Sequence, residues 1–235
     1  MANIILVGGI KGGTGKTTVA VNLAVAHALT SEAAALGLLC IDADDQANFN
    51  RWATFRTECE YQPHIQVTRQ QGKGLSKTLR SFAEKYETII VDAGGYDSTE
   101  LRETTLVADT WLIPVVVSQF NVDTFEYVEQ ILGQVNAIRP ESLTASLFVS
   151  QGSTYDTSSE RAALREAAAD FDRFEVLNSQ IRNRIIFKKA ENAAVGVAEL
   201  GGKHPSGLRS DGKAGAEIAS LYAEVFEHTF KEKAA

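Results

Sequence analysis

The chain has 235 residues, of which 44% are hydrophobic, and a net charge of −7 at neutral pH. That length suits one large α/β domain, and the acidic balance argues against a protein whose whole surface binds nucleic acid. Its two cysteines form neither a metal-binding spacing nor a disulfide framework, so a reducing cytoplasm is expected. The N-terminus has no basic leader, and no apolar run approaches the roughly 18 residues needed to span a bilayer.

A glycine-rich segment lies between the first predicted strand and the first predicted helix. Residues 3–8, with the apolar run at 4–7, predict a buried parallel strand, and residues 17–29 predict an alanine-rich helix. The intervening segment ends Lys-Gly-Gly-Thr-Gly-Lys-Thr-Thr at residues 11–18. Glycines let several backbone N–H groups face one anion, and the helix N-terminus adds further donors. The segment therefore predicts a polyphosphate site in which Lys16 reaches the outer phosphates and Thr17 ligates Mg²⁺.

The usual phosphate-loop pattern fails at position 10, where Ile10 stands in place of glycine, and a second lysine, Lys11, comes five residues before Lys16. This arrangement resembles the deviant Walker A motif of the ParA/MinD superfamily of ATPases; the alternative is a glycine-rich turn with a chance lysine. The resemblance implies ATP and Mg²⁺ as ligands, and an ATP-sandwich homodimer in which Lys11 crosses to the partner's nucleotide. It implies a nucleotide held by Lys11, Gly12, Gly13, Thr14, Gly15, Lys16, Thr17 and Thr18.

Acidic residues follow two further predicted strands. Residues 38–41 lead into Asp42-Ala43-Asp44-Asp45-Gln46, and residues 88–92 end in Asp92. Ligands bind at the carboxyl ends of strands in open α/β sheets, although acids in such turns are also ordinary loop chemistry. The family pattern is Asp-x-Asp-Pro-Gln, so Asp45 replaces the proline. By resemblance, Asp42 and Asp92 assist Mg²⁺ and its water shell, and Asp44 joins Lys11 and Lys16 as a catalytic residue by positioning or activating the attacking water.

The turn after Asp92 contains two glycines, Gly94 and Gly95. In the family this region senses the γ-phosphate, so both are candidate switch residues, although such glycines also serve merely to form turns.

The remaining pattern continues the alternation of strands and helices. It predicts an α/β fold of the P-loop class, with a mostly parallel twisted β-sheet flanked by helices on both faces, as one domain over residues 1–235 without an N-terminal helix-turn-helix domain. Further strands are predicted at 65–68, 110–117 and 143–150. Further helices are predicted at 46–57, 75–86, 100–108, 123–138, 157–171, 185–194 and 217–230.

The last part of the chain resembles the portion of ParA proteins that closes over adenine, and its final helix is similar to that of small, ParF-like plasmid partition ATPases. The resemblance places Gln151, Ile181, Arg182 and Asn183 near the base. Residues 180–215 hold seven basic and three acidic residues, a net charge of +4. Such a segment fits sequence-independent binding of the DNA backbone, with a solvated basic helix face as the alternative. The candidate DNA contacts are Arg184, Lys188, Lys189, Lys203 and Lys213.

The resemblance implies a partition ATPase in the cytoplasm, associated with the nucleoid. ATP would assemble a dimer that binds DNA non-specifically, and a small centromere-binding, ParB/ParG-like protein on the cargo would stimulate an otherwise weak hydrolysis. The same cycle with a cargo adaptor could instead position a carboxysome, a chemoreceptor or conjugation machinery.

Two other classes are disfavoured. A MinD-like membrane-cycling ATPase needs an amphipathic C-terminal helix, but residues 227–235 interleave acids and lack a large apolar tip, so no membrane partner is expected. An iron protein of the nitrogenase type needs cysteines on loops, whereas Cys40 lies in a predicted strand and Cys59 has no partner.

Overall fold

A computed structural model of the chain describes residues 2–119, 122–155, 158–201, 204–210 and 212–234. Within these ranges the predicted strands form one seven-stranded sheet. Its members are β1 (Asn3–Val7), β2 (Leu38–Asp42), β3 (Val67–Arg69), β4 (Thr88–Asp92), β5 (Thr110–Val115), β6 (Ala145–Gly152) and β7 (Phe174–Arg182). The strands lie in the order β3, β2, β4, β1, β5, β6, β7, and every neighbouring pair is parallel.

Helices connect these strands, because parallel neighbours cannot be joined by a tight hairpin. Short 3₁₀ turns at Val117–Gln119 and Val197–Gly201 complete the regular structure of the described residues. The helices are α1 (Lys16–Ala28), α2 (Glu32–Leu36), α3 (Asn48–Glu58), α4 (Leu75–Phe82), α5 (Thr99–Thr105), α6 (Val122–Asn136), α7 (Ser158–Ala168), α8 (Ile185–Asn192) and α9 (Lys213–Ala234).

Each face of the sheet is covered by its own layer of helices. Helices α1, α3, α8 and α9 pack on one face, and α4, α5, α6 and α7 pack on the other. Alternate residues of the central strand β1 supply the two cores: Ile5 and Val7 face the first layer, while Ile4 and Leu6 face the second. A strand that is buried on both faces is apolar along its buried length, and this explains the unbroken hydrophobic run at residues 4–7. The predicted fold class is confirmed.

The order of the strands brings the candidate site residues together. Strand β1 lies between β4 and β5, and β4 separates it from β2. Val7, the last residue of β1, pairs with Asp92, and Asp42 at the end of β2 pairs with the same Asp92. The glycine-rich segment after β1 and the acidic ends of β2 and β4 therefore meet at one edge of the sheet.

The sequence does not predict β7 as a strand. Its second half is polar, and the pairing with β6 shifts from Leu147 and Val176 to Val149 and Gln180, so that extra residues interrupt the alternation. Glu224 of α9 accepts hydrogen bonds from the backbone N–H groups of Asn178 and Ser179 on this edge strand.

Several boundaries also differ from the prediction. Helix α9 begins at Lys213, four residues before the predicted start, and follows Gly212 in a left-handed conformation with φ of 79°. Helix α4 ends at Phe82, not at residue 86. The alanine run at residues 33–35 belongs to α2, whose first turn is capped by the Ser31 hydroxyl. Among the described residues, no helix is long and apolar enough to cross a membrane.

A buried ion pair joins α3 to the turn that follows α8. The Arg56 side chain is 1% exposed and that of Glu199 is 4% exposed, and their closest nitrogen and oxygen atoms are 2.7 Å apart. Arg56 also donates to the carbonyl oxygens of Pro63 and Ala194, so its charge and most of its donors are satisfied. This pair fixes the chain that leads from the first helical layer into α9.

We expect Glu199→Ala to lower the free energy of unfolding by about 3–5 kcal/mol, because it leaves a buried guanidinium without its counter-ion. Urea denaturation of the two proteins measures the difference. Glu58→Ala, which removes an exposed glutamate of α3, is the matched control and should change stability by less than about 0.5 kcal/mol. Equal effects of the two substitutions would contradict this role for the buried pair.

Candidate functional site

The glycine-rich segment forms a turn that leads directly into α1. Gly13 and Gly15 adopt left-handed conformations, with φ of 72° and 89°, which residues with side chains rarely take. Helix α1 begins at Lys16, and no side chain caps its N-terminus because Gly15 occupies the cap position. Its first N–H groups therefore face the cleft without a side-chain acceptor, which is the arrangement that binds phosphate in helix N-termini.

Lys16 lies at the floor of this turn, whereas Lys11 is exposed at its edge. The Lys16 ammonium donates to the carbonyl oxygen of Lys11 at 2.7 Å, and the residue is only 6% exposed. Burial lowers the pKa of Lys16, and the charges of Asp92 and Asp44 oppose that shift. The positive charge inside the turn is therefore that of Lys16, and Lys11 is exposed to solvent.

Two side chains from the end of β6 hold the turn in place. The Ser150 hydroxyl donates to the carbonyl oxygen of Thr14 at 2.7 Å, and the Gln151 side-chain amide donates to that of Gly13 at 2.6 Å. Gln151 has a left-handed backbone, with φ of 53°. The predicted base contact Gln151 thus lines the cleft but uses its amide nitrogen on the turn. Nothing in the sequence singled out Ser150, whose only signal is its position after an apolar strand.

Asp42 and Asp92 are fully buried beside this turn. The two carboxylate oxygens of Asp42 accept from the backbone N–H groups of Asp44 and Asn50, at 3.2 and 2.8 Å. Neither oxygen of Asp92 has a hydrogen-bond partner in the part of the chain that the structure describes. Burial raises the pKa of Asp42, and it raises that of Asp92 to about 8 despite the adjacent Thr17 hydroxyl and Lys16 ammonium.

The buried Asp92 carboxylate lacks a compensating cation. Mg²⁺ fits the oxygen donors at the edge of the sheet where β1, β2 and β4 end. No group of three or more His, Cys, Asp or Glu residues in the described ranges is arranged to hold a metal ion. Mg²⁺ does not require one, because it commonly takes one or two carboxylates and completes its shell with water and substrate phosphates. Thr17, Asp42 and Asp92 therefore fit Mg²⁺ only together with a phosphate ligand.

The loop after β2 carries Asp44 and Asp45, which make different contacts. Asp44 lines the cleft and accepts a hydrogen bond from the backbone N–H of Gln46 at 2.9 Å. Asp45 accepts from the Gln71 amide and from the Tyr96 hydroxyl, both at 2.7 Å. The hydrogen bond to Asp45 raises the pKa of Tyr96 to about 12. The residue that replaces the family proline therefore ties this loop to the segment after β4.

The segment after β4 presses against the phosphate turn. A Cβ atom placed on Gly95 would lie 2.8 Å from the Gly12 Cα atom and 2.9 Å from the Lys16 ammonium nitrogen. A Cβ on Gly94 would lie 3.6 Å from a carboxylate oxygen of Asp44. Gly95 is thus a position where only glycine allows this approach, and the two predicted switch residues lie between the turn and the acidic loop.

The cleft at this edge has two neighbouring compartments. One, of about 350 Å³, is lined by the glycine-rich turn together with Asp44 and Gly95. The other, of about 370 Å³, is lined by residues that include Ile181, Arg182 and Asn183. Both are bordered by the same four residues, Gly15, Thr18, Gln151 and Glu191, so the compartments adjoin. The residues predicted for phosphate and for base thus line adjacent spaces.

The candidate DNA contacts do not form one unpaired cluster. Arg184 lies 2.8 Å from Glu217 of α9, which also pairs with Arg182 at 2.6 Å. Lys188 and Lys189 are exposed on α8, and Lys213 is exposed at the start of α9. Lys203 lies outside the described residues. Glu217 was not singled out by the sequence, because it follows the basic segment in the final helix.

The parallel sheet, the lysine-containing glycine turn and the buried acids at neighbouring strand ends define a P-loop ATPase of the ParA/MinD superfamily. The model of the ATPase MipZ family matches residues 3–199, and the chain belongs to that family.

The chain is also similar over most of its length to a carboxysome-distribution protein and to solved structures. The maintenance of carboxysome distribution protein A of Halothiobacillus neapolitanus is 23% identical over 202 residues, which span 85% of this chain and 88% of that protein. A plasmid partition protein of Borrelia burgdorferi, solved with AMPPNP, aligns with a TM-score of 0.67 at 15% identity over 97% of this chain and all of that one. The ATP complex of a Cyanothece McdA variant aligns with a TM-score of 0.66 at 18% identity over 96% of each chain.

Asp92→Asn should flatten the pH dependence of stability when nucleotide and Mg²⁺ are absent. The pKa of Asp92 is raised in the folded state above the unfolded value of about 3.9, so its contribution to stability is present at low pH and is lost as the pH rises toward 8. Chemical denaturation between pH 4 and pH 8 should show that the variant loses less stability than the wild type, by at least about 1 kcal/mol. Asp170→Asn, at an exposed aspartate, should follow the wild-type curve.

Proposed function

We propose that this protein is a ParA-type partition ATPase whose ATP-bound dimer binds DNA and carries a cargo along it. The observation that carries the proposal is the buried Asp92 carboxylate, which has no hydrogen-bond partner among the described residues and lies beside Lys16 and Thr17 at the phosphate turn. A magnesium-bound polyphosphate would satisfy these groups together, because it brings a cation for the acid and oxygens for the lysine and the hydroxyl.

Different residues at this site bind the phosphates and the metal ion. Lys16 and the first N–H groups of α1 hold the outer phosphates, and Thr17, Asp42 and Asp92 hold Mg²⁺ and its water shell. When bound, Mg²⁺ neutralises negative charge on the phosphate oxygens. Asp44 faces the same compartment from the loop after β2 and orients the attacking water.

The base occupies the second compartment, against Ile181, Arg182 and Asn183. Gln151 borders both compartments and, through its hydrogen bond to Gly13, links the base region to the phosphate turn. A nucleoside triphosphate therefore contacts the ends of β1, β6 and β7 at once.

Lys11 completes the site of a second chain. Its side chain is exposed at the rim, while its carbonyl oxygen accepts from Lys16. In the proposed homodimer the two chains face each other across their nucleotides, and each Lys11 reaches the phosphates bound by its partner. Gly94 and Gly95, which contact the turn and the acidic loop, change position when the terminal phosphate leaves.

The proposed dimer binds DNA through its exposed lysines. Lys188, Lys189 and Lys213 are exposed on one chain, and dimerisation doubles their number on one particle. Two weak patches that engage DNA together bind much more tightly than either alone, which links nucleotide state to DNA affinity. In this cycle the protein acts in the cytoplasm on the nucleoid, and a small centromere-binding protein on a plasmid or chromosome stimulates hydrolysis.

A protein cargo is the second candidate. It is favoured by the similarity to the Halothiobacillus neapolitanus protein, whose name states that it maintains carboxysome distribution. The same nucleotide and DNA steps would then serve a cargo adaptor in place of a centromere-binding protein. Co-purification from the native host, with wild-type protein and with a nucleotide-binding variant, separates the two candidates by the partner that is retained.

Two lysines of the turn should give different defects when replaced. Lys16→Ala should weaken ATP binding by about a hundredfold or more, because it removes the buried cation that contacts the phosphates. Lys11→Ala should bind ATP with nearly wild-type affinity but should not form the ATP-dependent dimer. Titration calorimetry and analytical ultracentrifugation measure the two properties. Lys73→Ala, at an exposed lysine before α4, should match the wild type in both, and tight ATP binding by the Lys16 variant would refute the assignment.

DNA retardation in the presence of ATP or ADP tests the remaining step. Wild-type protein should retard DNA of any sequence with ATP but not with ADP, and added salt should abolish retardation. Replacing Lys188 and Lys189 by alanine should lower the slope of log affinity against log salt by about one unit per lost phosphate contact. The matched control replaces the exposed Lys77 and Arg80 of α4 by alanine. An equal decrease of the salt slope in the control would show that α8 is not the specific DNA-binding surface.

A further inference from the structure

Glu191 is, like Asp44, an acidic residue that lines a cleft suited to an anion. It lies near the end of α8, and its carboxylate oxygen accepts a hydrogen bond from the Thr18 hydroxyl at 3.3 Å. No basic side chain in the described ranges lies within ion-pair distance of it. A carboxylate without an ionic partner close to a polyphosphate site is unfavourable unless the ligand itself offers it hydrogen-bond donors.

The position of Glu191 identifies the part of the ligand that it faces. It is one of the four residues that border both compartments, together with Gly15, Thr18 and Gln151. A nucleotide whose phosphates lie on the turn and whose base lies against Ile181 must pass its sugar between these residues. In that pose Glu191 would lie beside the ribose.

The other three border residues offer the sugar no charged acceptor. Gly15 has no side chain. Gln151 and Thr18 donate to the Gly13 carbonyl oxygen and to Glu191, and their own oxygen atoms are neutral acceptors. The ribose of ATP has two hydroxyl donors, at C2′ and C3′, and a carboxylate is the strongest acceptor available for them. Exchanging the Thr18 hydroxyl for a ribose hydroxyl leaves the carboxylate satisfied and frees Thr18 for a phosphate oxygen.

We propose that Glu191 is a specificity-determining residue that accepts a hydrogen bond from the ribose hydroxyls and so selects ribonucleotides over deoxyribonucleotides. The inference rests on the proposed nucleotide-binding function and adds to it the choice of sugar. The Glu191 carboxylate is half-buried, which favours such discrimination, because a deoxyribose leaves it without the donor that replaces Thr18.

The test is titration calorimetry with Mg²⁺ and unlabelled ATP, 2′-deoxyATP or 3′-deoxyATP, because dyes attached to the ribose would alter the contact in question. Wild-type protein should bind ATP about tenfold more tightly than at least one of the deoxynucleotides, as expected for a hydrogen bond to a charged acceptor. Glu191→Ala should bind ATP as weakly as that deoxynucleotide. Glu191→Gln, which keeps one neutral acceptor, should lie between them. Glu166→Ala, at an exposed glutamate of α7, should match the wild type.

Other results would overturn the inference. Equal affinity of the wild type for all three nucleotides would exclude a ribose contact, and this result needs no variant to fold. If the Glu191→Ala protein bound all three nucleotides more tightly by the same factor, Glu191 would repel the phosphates and would not recognise the sugar. If the Glu191→Ala and Glu191→Gln proteins still preferred ATP to the deoxynucleotides, another residue would recognise the ribose. Failure of the wild type to bind any nucleotide would instead refute the proposed function.

Discussion

Two carboxylates, Asp42 and Asp92, are buried side by side at one edge of a parallel sheet, and the rest of the site follows from this constraint. The register of β2, β4 and β1 makes the two acids neighbours and places the glycine turn beside them. Backbone N–H groups satisfy Asp42, but none satisfies Asp92 within the described chain. Burying an acid in this way destabilises a protein unless a cation compensates it. The nearby Lys16 ammonium lowers the pKa of Asp92 but does not outweigh the effect of burial.

The same region connects the ligand to more distant surfaces. Gly95 contacts the phosphate turn directly, and the next residue, Tyr96, donates to Asp45 on the loop after β2. One residue further, Asp97 accepts hydrogen bonds from Arg102 of α5 and Tyr127 of α6. The short segment at residues 95–97 thus contacts the turn, the loop after β2, and helices α5 and α6 of the second layer. A displacement of this segment would reach the acidic loop and the two helices through hydrogen bonds, and it would reach the turn through the close contact at Gly95.

Short sequence patterns were sufficient to predict the strand ends that carry the glycine-rich turn and the buried acids. Strands β1, β2 and β4 are each an apolar run followed by glycine or aspartate, so their ends were predicted to within one residue. Strand β7 lacks that signal, since it lies at the sheet edge, has a polar second half and is interrupted by a register shift. The contacts of Glu191 and Glu217 could not be predicted either, because each depends on a partner more than thirty residues away.

Glu217 also changes what the charge of the C-terminal third implies. A net charge of +4 over residues 180–215 suggests a strongly basic surface, but Glu217 lies just beyond this segment and pairs with both Arg182 and Arg184. These two arginines therefore contribute less to the outward field than their number suggests, and the exposed lysines carry most of it. In the proposed function, a surface with so few charges would give one chain only weak affinity for the DNA backbone. In the proposed cycle its affinity must come from two chains acting together, which makes DNA binding depend steeply on the ATP-bound dimer.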